Sequence, residues 1–182
     1  MNKRGSKWII ASIAVVILLI IGMFLYMSLF KPRDNSGKAD LKNPAAYLTI
    51  DQTITQFNED FVYYLLASIK AYNLHNPPLS SDKPRINILV GEDNYSALID
   101  DGRIIVQTGV LDNPDIKIST SKYEAAMMVK YPDSVKKSFE EGKSNIDLIA
   151  GKATLFSKGY LNMYNEITGK SVTGNVIKIY TS

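Results

Sequence analysis

Hydrophobic positions along the chain change their spacing several times, and each change predicts an element. Trp8 to Phe30 is a run of 23 residues without a charge. At about 1.5 Å of rise per residue, a helix over it measures roughly 35 Å, enough for a hydrocarbon core of about 30 Å. Further on, Ile50, Ile54, Phe57, Phe61, Leu65, Ile69 and Tyr72 recur every three or four residues, which predicts one helix over about 50–73. Thr49 with Gln52 forms its capping box, and Pro77-Pro78 bars its continuation. The period then falls to two. Ile86, Ile88 and Val90 alternate with Asn87 and Leu89 in a strand over Arg85–Val90. Tyr95–Asp100 and Arg103–Thr108 flank Asp101-Gly102, a hairpin turn that needs positive φ. A fourth strand covers Asp115–Ser119. Ser121 and Glu124 cap a helix over Lys122–Tyr131 that Pro132 breaks, and Asp133 opens another, through Glu141, that Gly142 closes. Ser144–Ile149 reads as the fifth strand. A last helix over residues 152–168 buries Ala153, Phe156, Tyr160, Met163 and Ile167, and Gly169 ends it. Val176–Tyr180 is a candidate edge strand.

Strands grouped ahead of helices imply an α+β fold: a mostly antiparallel five-stranded sheet with helices packed on one face, plus one N-terminal transmembrane helix. The chain divides into a basic tail (1–7), the span (8–30), a polar linker KPRDNSGKADLKNPA (31–45) and a domain (46–182). Such a linker reaches about 20 Å on average. Three Lys/Arg precede the span and four follow it, nearly a tie for the positive-inside rule. The short basic tail favours the cytoplasm slightly, and so an extracytoplasmic domain on a single-pass protein of the cell membrane.

Charge sharpens this division. Residues 1–45 carry a net +5, whereas residues 46–182 carry fourteen Lys/Arg against sixteen Asp/Glu, a net −2. A faintly acidic domain lacks the cationic surface that nucleic acid requires. With no cysteine, disulfides, thiolate nucleophiles and Cys-based zinc sites are excluded. His75 is the single histidine, so acid–base chemistry through imidazole could rest on that residue alone.

The stretch PDIKISTSKYEAAMMVKYPDSVKKSFEEGKSNIDLIAGKATLFSKGYLNMYNEITG, Pro114 to Gly169, carries a family pattern. A strand ends in a Ser-capped helix, a helical segment closes on Gly142-Lys143, and a short strand leads through Gly151 into the final helix. With the preceding hairpin and helix, residues 50–169 resemble the sterol carrier protein type 2 domain. That resemblance implies a hydrophobic tunnel between sheet and helices that binds sterols, fatty acyl chains or other lipids. Its implied lining here is Phe61, Leu65, Met127, Met128, Phe139, Ile146, Phe156, Tyr160, Met163 and Tyr164. Methionine adapts to ligands of varied shape, and tyrosine offers an apolar wall with a hydroxyl at its edge. The same side chains could equally form a dry core. The chain departs from the family in its membrane tether and in its continuation past Gly169 to Ser182.

Other motifs dissolve on inspection. Gly142-Lys143-Ser144 lacks the glycine of a phosphate-binding loop five positions earlier, where Lys137 stands. The pairs Glu92-Asp93, Asp100-Asp101 and Glu140-Glu141 sit at turns or helix ends, where neighbouring carboxylates point apart into solvent. Asp112-Asn113-Pro114-Asp115 lacks calcium-loop spacing and reads as a turn. Asn94-Tyr95-Ser96 is a glycosylation triplet relevant only to an extracytoplasmic domain. The expectation is a non-enzymatic, membrane-anchored lipid-binding domain without metal or cofactor, its partners being a lipid ligand and the bilayer. The alternative is a cavity-free, membrane-tethered module that docks a protein.

Overall fold

A computed structural model describes residues 15–23 and 41–170. The chain separates into a unit spanning Met1–Asn35 and a folded unit spanning Ser36–Ser182. Residues 15–23 are helical and exposed. The rest of the span expected over 8–30 lies outside the described residues, as does the candidate strand Val176–Tyr180. Among the described residues no helix is long and apolar enough to cross a membrane, so the transmembrane helix expected over 8–30 is not found among them.

The folded unit runs α1 (Ile50–Thr55), α2 (Glu59–Ser68), β1 (Arg85–Val90), β2 (Asp93–Asp100), β3 (Arg103–Thr108), β4 (Ile116–Thr120), α3 (Lys122–Lys130), α4 (Ser134–Glu140), β5 (Ser144–Leu148), α5 (Lys152–Ser157) and α6 (Tyr160–Thr168). The helix expected over 50–73 is broken. The Thr49–Gln52 capping box forms, but the Asn58 side chain accepts from Asp60 N at 3.0 Å and starts a second helix. The helix expected over 152–168 is broken too. Gly159 adopts φ +86°, a left-handed conformation that interrupts the helix between α5 and α6.

The sheet has the order β3-β2-β1-β4-β5. Asp101 and Gly102 take φ of +49° and +83°, the paired positive values a tight hairpin demands. The central pair β1–β4 is parallel, with Ile86 opposite Ile116 and Ile88 opposite Ile118. The other three pairings are antiparallel. The sheet is therefore mixed, which corrects the mostly antiparallel arrangement expected. The cause is topological: β2 and β3 build outward from one edge of β1, so the chain must cross back to reach the other edge. Residues 109–115 make that crossing, and Asn87 fixes it. Its Nδ2 donates to Leu111 O at 3.0 Å and its Oδ1 accepts from Leu111 N at 2.9 Å.

Alternation then assigns the faces. Ile86, Ile88, Val90, Tyr95, Ala97, Ile99, Ile116, Ile118 and Ile146 point one way and join Phe61, Val62, Leu66, Met128, Val129 and Phe139 of the helices in one core. Asn87 points the other way, beneath the crossover.

One end of the sheet is closed by ions rather than by hydrocarbon. Lys158, at the C-cap of α5, is fully buried. Its Nζ lies 3.0 Å from both carboxylate oxygens of Asp115, 3.1 Å from Lys83 O and 2.8 Å from Asp82 Oδ2. Asp115 Oδ2 also accepts from Arg85 N at 2.7 Å, while Asp115 O accepts from Ile149 N and Ala150 N. The Tyr160 hydroxyl sits 3.1 Å from Asp115 Oδ2 and 3.2 Å from Arg85 O. Burial first, then the Asp115 charge, push the Tyr160 phenol far above its ordinary range, so it stays protonated and donates. Asp82 is half-exposed, and its hydrogen bonds to Lys158 and then Arg85 hold its carboxyl below the usual 3.8.

Replacing Lys158 with Met leaves Asp115 buried without its counter-ion and should cost about 3–5 kcal/mol. Urea unfolding of the full chain measures this, and adding Asp115→Asn to the same variant should recover part of the loss. Because folding lowers the Asp82 pKa, its contribution is complete above 3.8 and fades as pH falls below that value. Asp82→Asn should therefore be less stable than the parent at pH 6, with the gap narrowing through pH 3.

Candidate functional site

The apolar faces of α2, α3 and α4 close over β1 and β4 in a seam. Within it lies a void of about 30 Å³. Val62, Leu65, Leu66 and Ile69 wall it from the α2 side, Ile88, Val90, Ile118 and Thr120 from the sheet, and Met128, Val135 and Phe139 from α3 and α4. Ligand pockets measure roughly 300–1,000 Å³, and one water occupies about 30 Å³ of the liquid. The open tunnel implied by the family resemblance is thus not formed, because the side chains have closed on one another. The one hydroxyl on the wall, Thr120 Oγ1, lies 2.7 Å from Ser144 Oγ. Ser144 Oγ lies 2.8 Å from Ser138 Oγ, which donates to Glu124 Oε2 at 3.0 Å. That hydroxyl is thus taken up by the serine pair, and the void has hydrocarbon walls.

The ten residues expected to line a tunnel are dispersed. Leu65, Met128 and Phe139 border the void. Phe61 is buried beside it in a stack with Phe57, ring centroids 5.4 Å apart. Ile146 and Met163 are buried in the same core, against which Tyr164 packs half-buried. Met127 is half-buried. Tyr160 is fully buried, but its hydroxyl belongs to the Asp115 cluster. Phe156 is 75% exposed, because the break at Gly159 turns α5 away from the face that a continuous helix would bury. Strand alternation pointed Ile88, Val90 and Ile118 inward. Val62 and Leu66 were missed because one uninterrupted helix puts Phe61 and Leu65 at the centre of the buried face, whereas the restart at Asn58 resets which positions face the sheet.

Two grooves flank this core. The first, about 290 Å³, is bounded by Ser68, Ile69, Pro132, Asp133, Val135, Lys136, Glu166 and Ile167. It shares Ile69 and Val135 with the void, so those two side chains border both spaces. Lys70 pairs with Glu166 at 3.3 Å beside it, and Lys136 with Glu140 at 3.6 Å. The second, about 320 Å³, is lined by His75, Pro78, Phe156, Ser157, Gly159, Leu161 and Asn162 and shares no residue with the void. There His75 Nδ1 lies 2.9 Å from Asn76 O.

The sequence pattern of the family described as microtubule associated protein 10, N-terminal domain, matches residues 98–181. No curated protein matches the chain. Solved structures with a similar course of chain include a double mutant of the sec-alkyl sulfatase PisA1, at 10% identity and a TM-score of 0.39, covering 61% of this chain and 17% of that one. Sterol carrier protein 2 like 2 from Aedes aegypti is 20% identical at a TM-score of 0.30, covering 54% and 92%. The apo form of sterol carrier protein 2 from Yarrowia lipolytica is 14% identical at 0.29, covering 72% and 100%. The chain thus spans less than a fifth of the sulfatase. The resemblance read from the sequence returns among these structures at low scores, whereas the matching family pattern is a different one.

Val62→Ile adds one methylene at the wall of the void. It should raise stability by up to about 0.8 kcal/mol, the worth of one buried methylene. Urea denaturation measures this; a wall already packed to its limit would instead lose about 1–3 kcal/mol.

Proposed function

We propose that this chain is a membrane-anchored lipid-binding domain that admits one hydrocarbon tail to the seam beneath α2. The observation that carries the reading is the join between the void and the first groove. A wall of aliphatic, methionine and phenylalanine side chains lies beside a surface groove, and Ile69 and Val135 line both spaces. Displacing those two side chains would merge a groove of about 290 Å³ with the void. Apolar burial at about 25 cal/mol per Å² supplies the affinity, and no covalent step is required. The uncharged run Trp8–Phe30 supports residence in a membrane, so that the lipid comes from the adjoining leaflet. Neither an enzymatic reaction nor a cofactor belongs to this reading, and the net charge of −2 over residues 46–182 favours no nucleic acid.

A second reading is a module that docks a protein and never opens. The small void supports it, and the matching family's name makes a microtubule the first partner to try. Co-sedimentation of the full chain with microtubules tests that partner directly.

The lipid reading is tested with the full chain in lipid nanodiscs and a photoreactive palmitate analogue. Peptides containing residues 62–69 and 135–139 should be labelled, and Leu65→Trp, which puts an indole at the wall, should reduce that labelling at least tenfold. Labelling confined to the N-terminal run would overturn the carrier in favour of the docking module.

A further inference from the structure

We infer that the face carrying Tyr47 and Tyr131, beside the groove that leads to the seam, is the surface by which the folded unit rests on a lipid bilayer. This inference rests on the proposal that Trp8–Phe30 spans a membrane. Tyr47 is fully exposed and Tyr131 half-exposed. Their backbones are held together. Asn43 Nδ2 donates to Val129 O at 2.9 Å, and Lys130 Nζ donates to Leu48 O and lies 3.5 Å from Ala45 O. The turn that presents Tyr47 is thus bonded to the end of α3, immediately before Tyr131. Pro132 and Asp133, the next residues, border the groove. Two tyrosines and the groove therefore share one end of the unit.

That end is also where the described chain of the folded unit begins, at Leu41, which packs on the core. Ten residues separate Phe30 from Leu41, and ten residues span at most about 36 Å even fully extended. That tether keeps Leu41 within reach of the span, and Tyr47 is the first exposed aromatic side chain described after it. Tyrosine, with an apolar ring and a polar tip, favours the water–lipid boundary. The geometry joins the two functions: a tail leaving the leaflet would meet the groove without crossing water.

The chain has no cysteine, so single cysteines can be placed without a background. Tyr47→Cys and Tyr131→Cys, with Ile105→Cys on the opposite sheet face and Phe156→Cys in the second groove as references, are labelled with a fluorophore in the full chain. The chain is then reconstituted in nanodiscs of phosphatidylcholine and phosphatidylglycerol that contain a nitroxide lipid. Labels at 47 and 131 should be quenched at least threefold more than those at 105 and 156. Equal quenching at all four, or stronger quenching at 105 or 156, overturns the inference. Palmitate labelling of the seam is scored separately. If it persists without preferential quenching, only the docking face is wrong; if it vanishes while 47 and 131 remain quenched, the lipid reading fails and the face stands.

Discussion

The buried contact between Lys158 and Asp115 sets the frame on which everything else is hung. Asp115 touches the start of β1 through Arg85, the end of β5 through Ile149 and Ala150, and the α5–α6 junction through Lys158 and Tyr160. These segments are distant in sequence, and the parallel β1–β4 pair begins at this point. A buried ion pair is a doubtful source of net stability, since desolvation offsets much of the attraction. Direction is what it supplies. Both carboxylate oxygens, an ammonium, a phenol and a main-chain N–H must meet together, and no slipped register of β4 against β1 satisfies all of them. Hydrocarbon of equal volume would fill the space without selecting the register.

Local elements were largely legible in the sequence because their causes are local. Alternation placed β1 and β3 to the residue, and Asp101-Gly102 placed the turn before β3. What escaped depends on groups far apart in the chain. The parallel pairing follows from Asn87 holding Leu111 across the open sheet face, and nothing in the pattern of either segment announces that bond. The two helix breaks had visible signals, Asn58 ahead of two acidic residues and Gly159 after Lys158, but the apolar periodicity on either side outweighed them. Lys158 drew no reading from the sequence, and Asp115 read as part of a turn. Their burial became apparent only once the ends of β1, β4 and β5 converged.

The candidate site shows the same division. Leu65, Met128 and Phe139 followed from their apolar character, whereas the sheet residues on the wall, Ile88, Val90, Ile118 and Thr120, were not among those expected to line it. Phe156 failed because its face was assigned by extending a helix through Gly159. Tyr160 reached the interior as expected, yet there its hydroxyl serves the Asp115 cluster instead of a ligand.

The proposed lipid carrier has to be one whose seam closes when empty. An apolar cavity costs about 24 cal/mol per Å³. Holding 300 Å³ open without a ligand would therefore cost roughly 7 kcal/mol, comparable to the whole stability of a domain at about 5–15 kcal/mol. Side chains that can close such a space will do so, leaving only a residue of poor fit, and here that residue is about 30 Å³. The property that separates a carrier from a permanently solid core is then the compliance of Ile69 and Val135, which border both spaces. Ile69 stands at the C-cap of α2, just before Lys70 at φ +58°, an uncommon conformation for a side-chain-bearing residue. Val135 stands in the first turn of α4, just after the break at Pro132. Both belong to helix ends, where fewer backbone bonds must yield for a side chain to swing aside. The two side chains that border both void and groove thus stand at helix ends, where the proposed opening would meet the fewest backbone bonds.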